Sequence, residues 1–230
     1  MADLLVIVPS RGRPESVARL VETWEATDAY AHARLAFAID GDDPHHAAYE
    51  RQASAQSLML TIVRWLPMVH KLDRVAVGLA TDYLALGFAG DDHLPRTPGW
   101  AKRYVDELRQ MGTGIVYGDD GYQGERLPTQ WAMTADIVQA LGRMVPAPVE
   151  HLYCDNAVLE LGRAAGCIRY LPDVVVEHMH PVAGKGVDDE QYRRVNGRAQ
   201  YDRDRRAYQR WRRGGLRADA RQVRELRRQS

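Results

Sequence analysis

Three short apolar runs in this chain each lead straight into aspartates. Leu35–Ile39 ends at Asp40-Gly41-Asp42-Asp43, Leu86–Ala89 at Gly90-Asp91-Asp92-His93, and Ile115–Tyr117 at Gly118-Asp119-Asp120-Gly121. Apolar runs of this length, bounded by turn residues, read as strands covered on both faces, as in a sheet held between helices. A carboxylate at the end of a buried strand contributes nothing to packing and is costly if left unpaired. It must be paired, solvated or bound to a cation. Open α/β sheets bind ligands at the carboxyl ends of their strands. The pattern therefore constrains both the fold class and the place of the site. Turn chemistry accounts for part of it, since Asp-Asp-Gly shapes turns and Asp43 can cap the next helix.

The rest of the chain fits that frame. Leu4–Val8 is a first buried strand, followed by Ser10-Arg11-Gly12-Arg13 and by Pro14, which suits a first helical turn. Two arginines beside a helix N-terminus favour an anion such as phosphate. Leu58–Trp65 reads as a third strand, and a helix opens at Val69-His70-Lys71. Lys71 stands against the positive end of that helix, which makes sense beside an anionic ligand. Trp100–Met111 is a further helix, Pro128–Met133 a crossover or edge strand, and Thr134 caps a helix through Leu141. Asp155 stands at the start of a helix Asn156–Ala165, as an N-cap or as a general base. Cys167–Leu171 and Val174–Val176 are the last strands and deliver Glu177-His178-Met179-His180. In a strand His178 and His180 share a face, so with Asp92 they form a candidate ligand set for manganese or a similar divalent ion.

The length of 230 residues, with 45% hydrophobic and 27% charged, is that of one large domain or a domain with an appendage. No run reaches the roughly 20 apolar residues of a membrane span, and Leu4–Val8 lacks the flanks of a signal peptide. Two cysteines, Cys154 and Cys167, exclude a disulfide framework and a cysteine zinc cluster. The expectation is a soluble cytoplasmic protein. Gly184-Lys185-Gly186 lacks the remainder of a phosphate loop, which argues against an ATPase.

The formal net charge of zero hides an asymmetry. Residues 191–230 carry 14 arginines against four acidic residues, which leaves +10 there and −10 on the remainder. Such a tail suits an anionic partner or docks on its own acidic body. Tyr201, Tyr208 and Trp211 fall near one helical face and are expected to pack on the body.

In their order, VIVPSRGRP, AIDGDD, HKLDR, FAGDDH, CDNAV and VVVEHMHP resemble the GT-A class of glycosyltransferases, near the inverting family-2-like enzymes. The resemblance covers residues 4–186. It implies a Rossmann-like three-layer α/β fold with a mostly parallel central sheet over residues 1–187 and a helical, arginine-rich extension over 188–230. It implies transfer of a sugar from a nucleoside-diphosphate sugar, with UDP first among nucleotides, assisted by Mn2+ or Mg2+. Pro9, Ser10, Arg11, Arg13, Asp40, Asp42, Lys71 and Asp91 would then serve the donor, and Asp92 the metal, with His178 first and His180 second beside it. Gly90 stands where the Asp-x-Asp motif has its first acid, which makes a histidine ligand more important. Asp155 matches the catalytic base, and Asp119, Trp131 and Lys185 are candidates for the acceptor side.

The EHMHPVAGK stretch and the basic tail resemble compact actinobacterial and phage glycosyltransferases. The expected acceptor is therefore duplex DNA carrying a hydroxymethylated pyrimidine, bound through the tail in the host cytoplasm if the protein is phage-encoded. The alternatives are a cell-wall, lipid or protein acceptor, a metal-dependent nucleotidyltransferase, or a non-catalytic nucleic-acid-binding protein.

Overall fold

The computed structural model describes residues 3–53, 57–62, 65–180, 184–185, 193, 195 and 197–229. The boundary expected at residues 187–188 and residues 63–64 of the expected third strand lie outside the described residues, while Trp65, expected to end that strand, belongs to no strand. Among the described residues eight strands form one sheet in the order β3-β2-β1-β4-β7-β6-β8-β5. They are β1 (Leu4–Ser10), β2 (Ala33–Asp40), β3 (Leu58–Ile62), β4 (Ala85–Phe88), β5 (His93–Pro95), β6 (Ile115–Asp119), β7 (Trp131–Thr134) and β8 (Ile168–His178).

The expectation of a mostly parallel sheet holds for one half only. β3, β2, β1 and β4 are parallel neighbours. β7 runs antiparallel to both β4 and β6, and β5 runs antiparallel to β8. β6 and β8 are parallel. The sheet is thus mixed, because β7 follows β6 without an α-helical crossover and so returns antiparallel beside it.

The two strands expected near residues 167–176 are one. β8 continues through Pro172, and its register with β6 jumps from Gly118–Leu171 to Asp119–Val175. Pro172 has no amide to give the ladder, so the chain bulges there and pairs again beyond it.

Alternation along β1 divides the core into two layers. Leu5 and Ile7 face one cluster, built with α3 (Met68–Leu79), α5 (Ala135–Leu141) and α6 (Cys154–Ala165). Leu4, Val6 and Val8 face the other, built with α1 (Pro14–Ala26), α2 (His46–Gln52) and α4 (Trp100–Met111). This is the three-layer arrangement that continuous apolar strands demand.

Two C-terminal helices, α7 (Arg198–Gly214) and α8 (Leu216–Arg227), join the first cluster through Ala207, Trp211, Ala220 and Val223. Tyr208 packs against the same cluster, while Tyr201 is exposed. No helix among the described residues is long and apolar enough to cross a membrane.

Candidate active site

The carboxyl ends of β1 and β4, the start of α3 and the segment before α6 enclose a cavity of about 430 Å³. The amino-terminal wall is Pro9, Ser10, Arg11 and Arg13, with Lys71 beneath it. Pro14 at the first position of α1 fixes the exit of this turn. Arg11 donates to Asp40 at 3.0 Å and to Asp42 at 2.8 Å. Lys71 Nζ donates to Asp40 Oδ2 at 2.8 Å. Asp40 is fully buried, so this charge pair is enclosed. Burial pushes the Lys71 ammonium below its ordinary range, and the Asp40 carboxylate pulls it partly back. Lys71 thus sits on the cavity wall but spends its charge on Asp40. Asp40 and Asp42 lie behind Arg11 and do not line the cavity.

Asp91 and Asp92 take different roles. Asp91 accepts a short hydrogen bond from Ser10 and lies 3.7 Å from the Arg13 guanidinium, which ties the acidic loop to β1. Asp92 lies between two imidazoles. Its Oδ1 is 3.3 Å from His93 Nδ1 and its Oδ2 is 3.4 Å from His178 Nε2. The antiparallel register of β5 on β8 sets His93 opposite His178, so the rings stack with centroids 4.0 Å apart.

Burial would raise the Asp92 carboxyl, yet the two imidazoles hold it well below the usual carboxylate range. Burial, with the neighbouring His178, pushes His93 below its ordinary value and keeps it neutral. One ligand atom from each of Asp92, His93 and His178 falls within 4.8 Å of the others. His93 Nε2 and His178 Nδ1 are buried with no hydrogen-bond partner among the described residues. Two imidazoles with a carboxylate are a donor set that Mn2+ accepts, so the residues fit a divalent ion.

His93 was not among the residues expected to hold a metal. Its signal was in the FAGDDH stretch, but its partnership with His178 depends on a strand register that spacing does not reveal. Gly90 has a physical reason. A Cβ there would stand 2.5 Å from Asp92 Oδ1 and 2.8 Å from His93 Nδ1. The Gly90 amide instead donates to His93 Nδ1 at 2.9 Å. The imidazole occupies the space that an acid at position 90 would need.

Asp120 supports this group from behind. Its Oδ1 accepts the amides of Tyr122, Gln123 and Gly124, and its Oδ2 accepts the Thr129 hydroxyl at 2.9 Å. The same Oδ2 lies 3.9 Å from His178 Nδ1. His180 lines the cavity, with its ring 4.8 Å from His178 and stacked on Tyr122, but it stands outside the Asp92–His93–His178 group.

Asp155 also lines the cavity. α6 begins at Cys154, so Asp155 lies in its first turn and not at the cap, and its Oδ1 accepts the Asn156 amide at 2.7 Å. Burial raises its carboxyl to about 6, only partly offset by the Asn156 amide. A carboxylate poised near neutrality on a cavity wall suits a general base. His151, which also lines the cavity, is pushed by burial to about 4.

The three acceptor-side candidates are placed elsewhere. Asp119 accepts the Gly121 amide at the end of β6. Trp131 is buried in β7 against Phe88, with ring centroids 4.5 Å apart. Lys185 pairs with Glu177 at 2.7 Å. None of the three lines the cavity. Glu150, Gln200 and Arg203 do line it, which sequence spacing did not suggest.

No protein-family model matches the chain, and no curated protein sequence does so. Solved structures do match. The mannosyltransferase PcManGT from Pyrobaculum calidifontis, in complex with GDP-Man and Mn2+, aligns at a TM-score of 0.68 with 14% identity, over 97% of this chain and 69% of that one. S. aureus TarS 1-349 in complex with UDP aligns at 0.56 with 12% identity, over 77% of this chain and 60% of that one. A Mycobacterium tuberculosis protein in complex with manganese aligns at 0.51 with 16% identity, over 84% and 97%. At these identities the likeness is one of fold. The chain has the α/β fold of GT-A-like nucleotide-sugar transferases.

Proposed function

We propose that this protein is a metal-dependent, inverting glycosyltransferase that uses a nucleoside-diphosphate sugar, with UDP-sugars the first donors to test. The observation that carries the reading is the convergence of Arg11, Arg13, the Asp92–His93–His178 group and Asp155 on one cavity. Its fold likeness to a mannosyltransferase solved with GDP-Man and Mn2+, and to proteins solved with UDP or with manganese, supports the same reading.

In this proposal Asp92, His93 and His178 hold Mn2+ or Mg2+, which supplies positive charge for the departing diphosphate. Arg11 and Arg13 add donors at the phosphate end. Asp40, Asp42 and Lys71 support Arg11 and the nucleotide end, and Asp91 fixes the loop through Ser10 and Arg13. Asp155 takes the proton from the acceptor hydroxyl as that oxygen attacks the anomeric carbon. One carboxylate acting in a single displacement inverts that carbon.

The acceptor is a hydroxyl-bearing molecule, and a hydroxymethylated pyrimidine in DNA is the specific candidate that the basic tail supports. Part of that tail is engaged with the body. Arg203 pairs with Glu150, Arg212 with Glu160, and Arg224 and Arg227 donate to the carbonyls of Ala164 and Ala165. Salt-sensitive binding to duplex DNA would support a DNA acceptor, and its absence at low salt would remove it.

The test of the activity is a panel of UDP-, GDP- and TDP-sugars with Mn2+, scored for nucleoside-diphosphate release. Asp155→Asn is expected to bind donor and to lose transfer by about 100-fold or more. Pyrophosphate release from a nucleoside triphosphate would instead identify a nucleotidyltransferase.

A further inference from the structure

We infer that α7, at the start of the basic C-terminal extension, is part of the active-site machinery, with Asp204 the positioning residue that aims Asp155 into the cavity. The inference rests on Asp155 serving as the base.

The segment between α5 and α6 has no regular structure of its own, and carboxylates hold it in place. Asp73 accepts the amides of Met144 and Val145, and Asp219 accepts from the Arg143 guanidinium. These two clamps lie away from the cavity lining. Asp204 holds the part that forms the cavity wall. Asp204 is 1% exposed, and its carboxylate accepts the amides of Glu150 at 2.8 Å, His151 at 3.0 Å and Leu152 at 2.8 Å, with Gln200 Nε2 at 2.8 Å. Three consecutive amides aimed at one carboxylate fix the path of the chain immediately before Asp155.

A second observation involves the same helix. Tyr153, two residues before Asp155, has φ 66°, a left-handed backbone that a bulky residue adopts only when its surroundings enforce it. Its ring stacks on Tyr208 at 5.2 Å and lies 5.5 Å from Tyr201. Both partners belong to α7, one turn to either side of Asp204. The helix therefore grips the backbone of residues 150–152 and the side chain of Tyr153, and α6 begins at the next residue with Cys154 and Asp155. Gln200 and Arg203, from the same stretch of α7, reach the cavity wall themselves.

The experiment uses the full chain in a Cys167→Ala background, so that Cys154 is the only thiol. Asp204→Asn and Tyr208→Ala are compared with Asp219→Asn, which removes a buried carboxylate that accepts from Arg143 and from Trp211 of α7 but from none of residues 150–155. Two readouts are taken: the rate of Cys154 alkylation by iodoacetamide, and kcat and KM for turnover of the nucleotide sugar that the wild type uses. Asp204→Asn and Tyr208→Ala are expected to label at least about tenfold faster than Asp219→Asn. They are expected to lose at least about tenfold in kcat with donor KM within about threefold.

Labelling and kcat in Asp204→Asn that match Asp219→Asn would overturn the inference. So would faster labelling with kcat unchanged. If the wild type turns over no nucleotide sugar, the transferase reading fails by itself. The labelling then decides whether α7 holds the turn: acceleration supports the grip, and equal rates overturn it.

Discussion

Asp40 and Asp92 follow the same sequence pattern, an apolar strand running into a cluster of aspartates, yet they have opposite surroundings. Asp40 meets Lys71 Nζ at 2.8 Å and the Arg11 guanidinium at 3.0 Å, so its charge is neutralised within the protein. Asp92 meets the rings of His93 and His178, and burial holds His93 in its neutral form. One carboxylate is complete as it stands. The other has imidazoles beside it and, among the described residues, no lysine or arginine, and it gains from a cation supplied from outside. Acid at a strand end is therefore not by itself a metal signature. The partners decide, and they come from distant parts of the chain.

The comparison makes its largest prediction at the closed pair. Lys71→Met leaves Asp40 buried with Arg11 alone and is expected to cost about 3–5 kcal/mol of stability, measured by urea unfolding. Asp92→Asn removes the other carboxylate and is expected to change stability by less than about 1 kcal/mol without added metal, because no cation of the protein loses its partner. Equal losses in the two variants would break the contrast.

The donor set provides a sharper test. Gly90→Ala puts a Cβ into the space of Asp92 Oδ1 and His93 Nδ1. It is expected to weaken Mn2+ binding by about tenfold, as shifting a ligand's support does, with little change in melting temperature. Unchanged affinity would mean that His93 is not held where the Gly90 amide places it.

How much of this was legible beforehand follows from range. β1, α1 and the β2 and β4 strand ends depend on local patterning, and the sequence expectations match them. The mixed half of the sheet was not legible, because β7 reads as a short strand whichever neighbour it pairs with. The same limit hid His93, whose meaning depends on lying opposite His178 in the β5–β8 register. Lys71 was legible as a cation that needs an anion, but its partner proved to be Asp40. The basic tail was legible as charge. Its buried acids, Asp204 and Asp219, were not, since four acids among 14 arginines look like surface decoration.

A smaller effect is expected in the pH profile. Burial places the Asp155 carboxyl at about 6. A base acts when deprotonated, so transfer should rise with pH, reach half its plateau near 6 and stand at about a tenth of the plateau at pH 5. A profile flat from pH 5 to pH 8 would remove Asp155 as the titrating base.

The central claim is that Asp92, His93 and His178 form one metal site. Titration of the protein with Mn2+, followed by the electron paramagnetic resonance signal of the free ion, tests it directly. The wild type is expected to bind about one ion, and Asp92→Asn and His93→Ala to weaken that binding by about 100-fold each. Binding in both variants equal to the wild type, or no binding by the wild type, would contradict it.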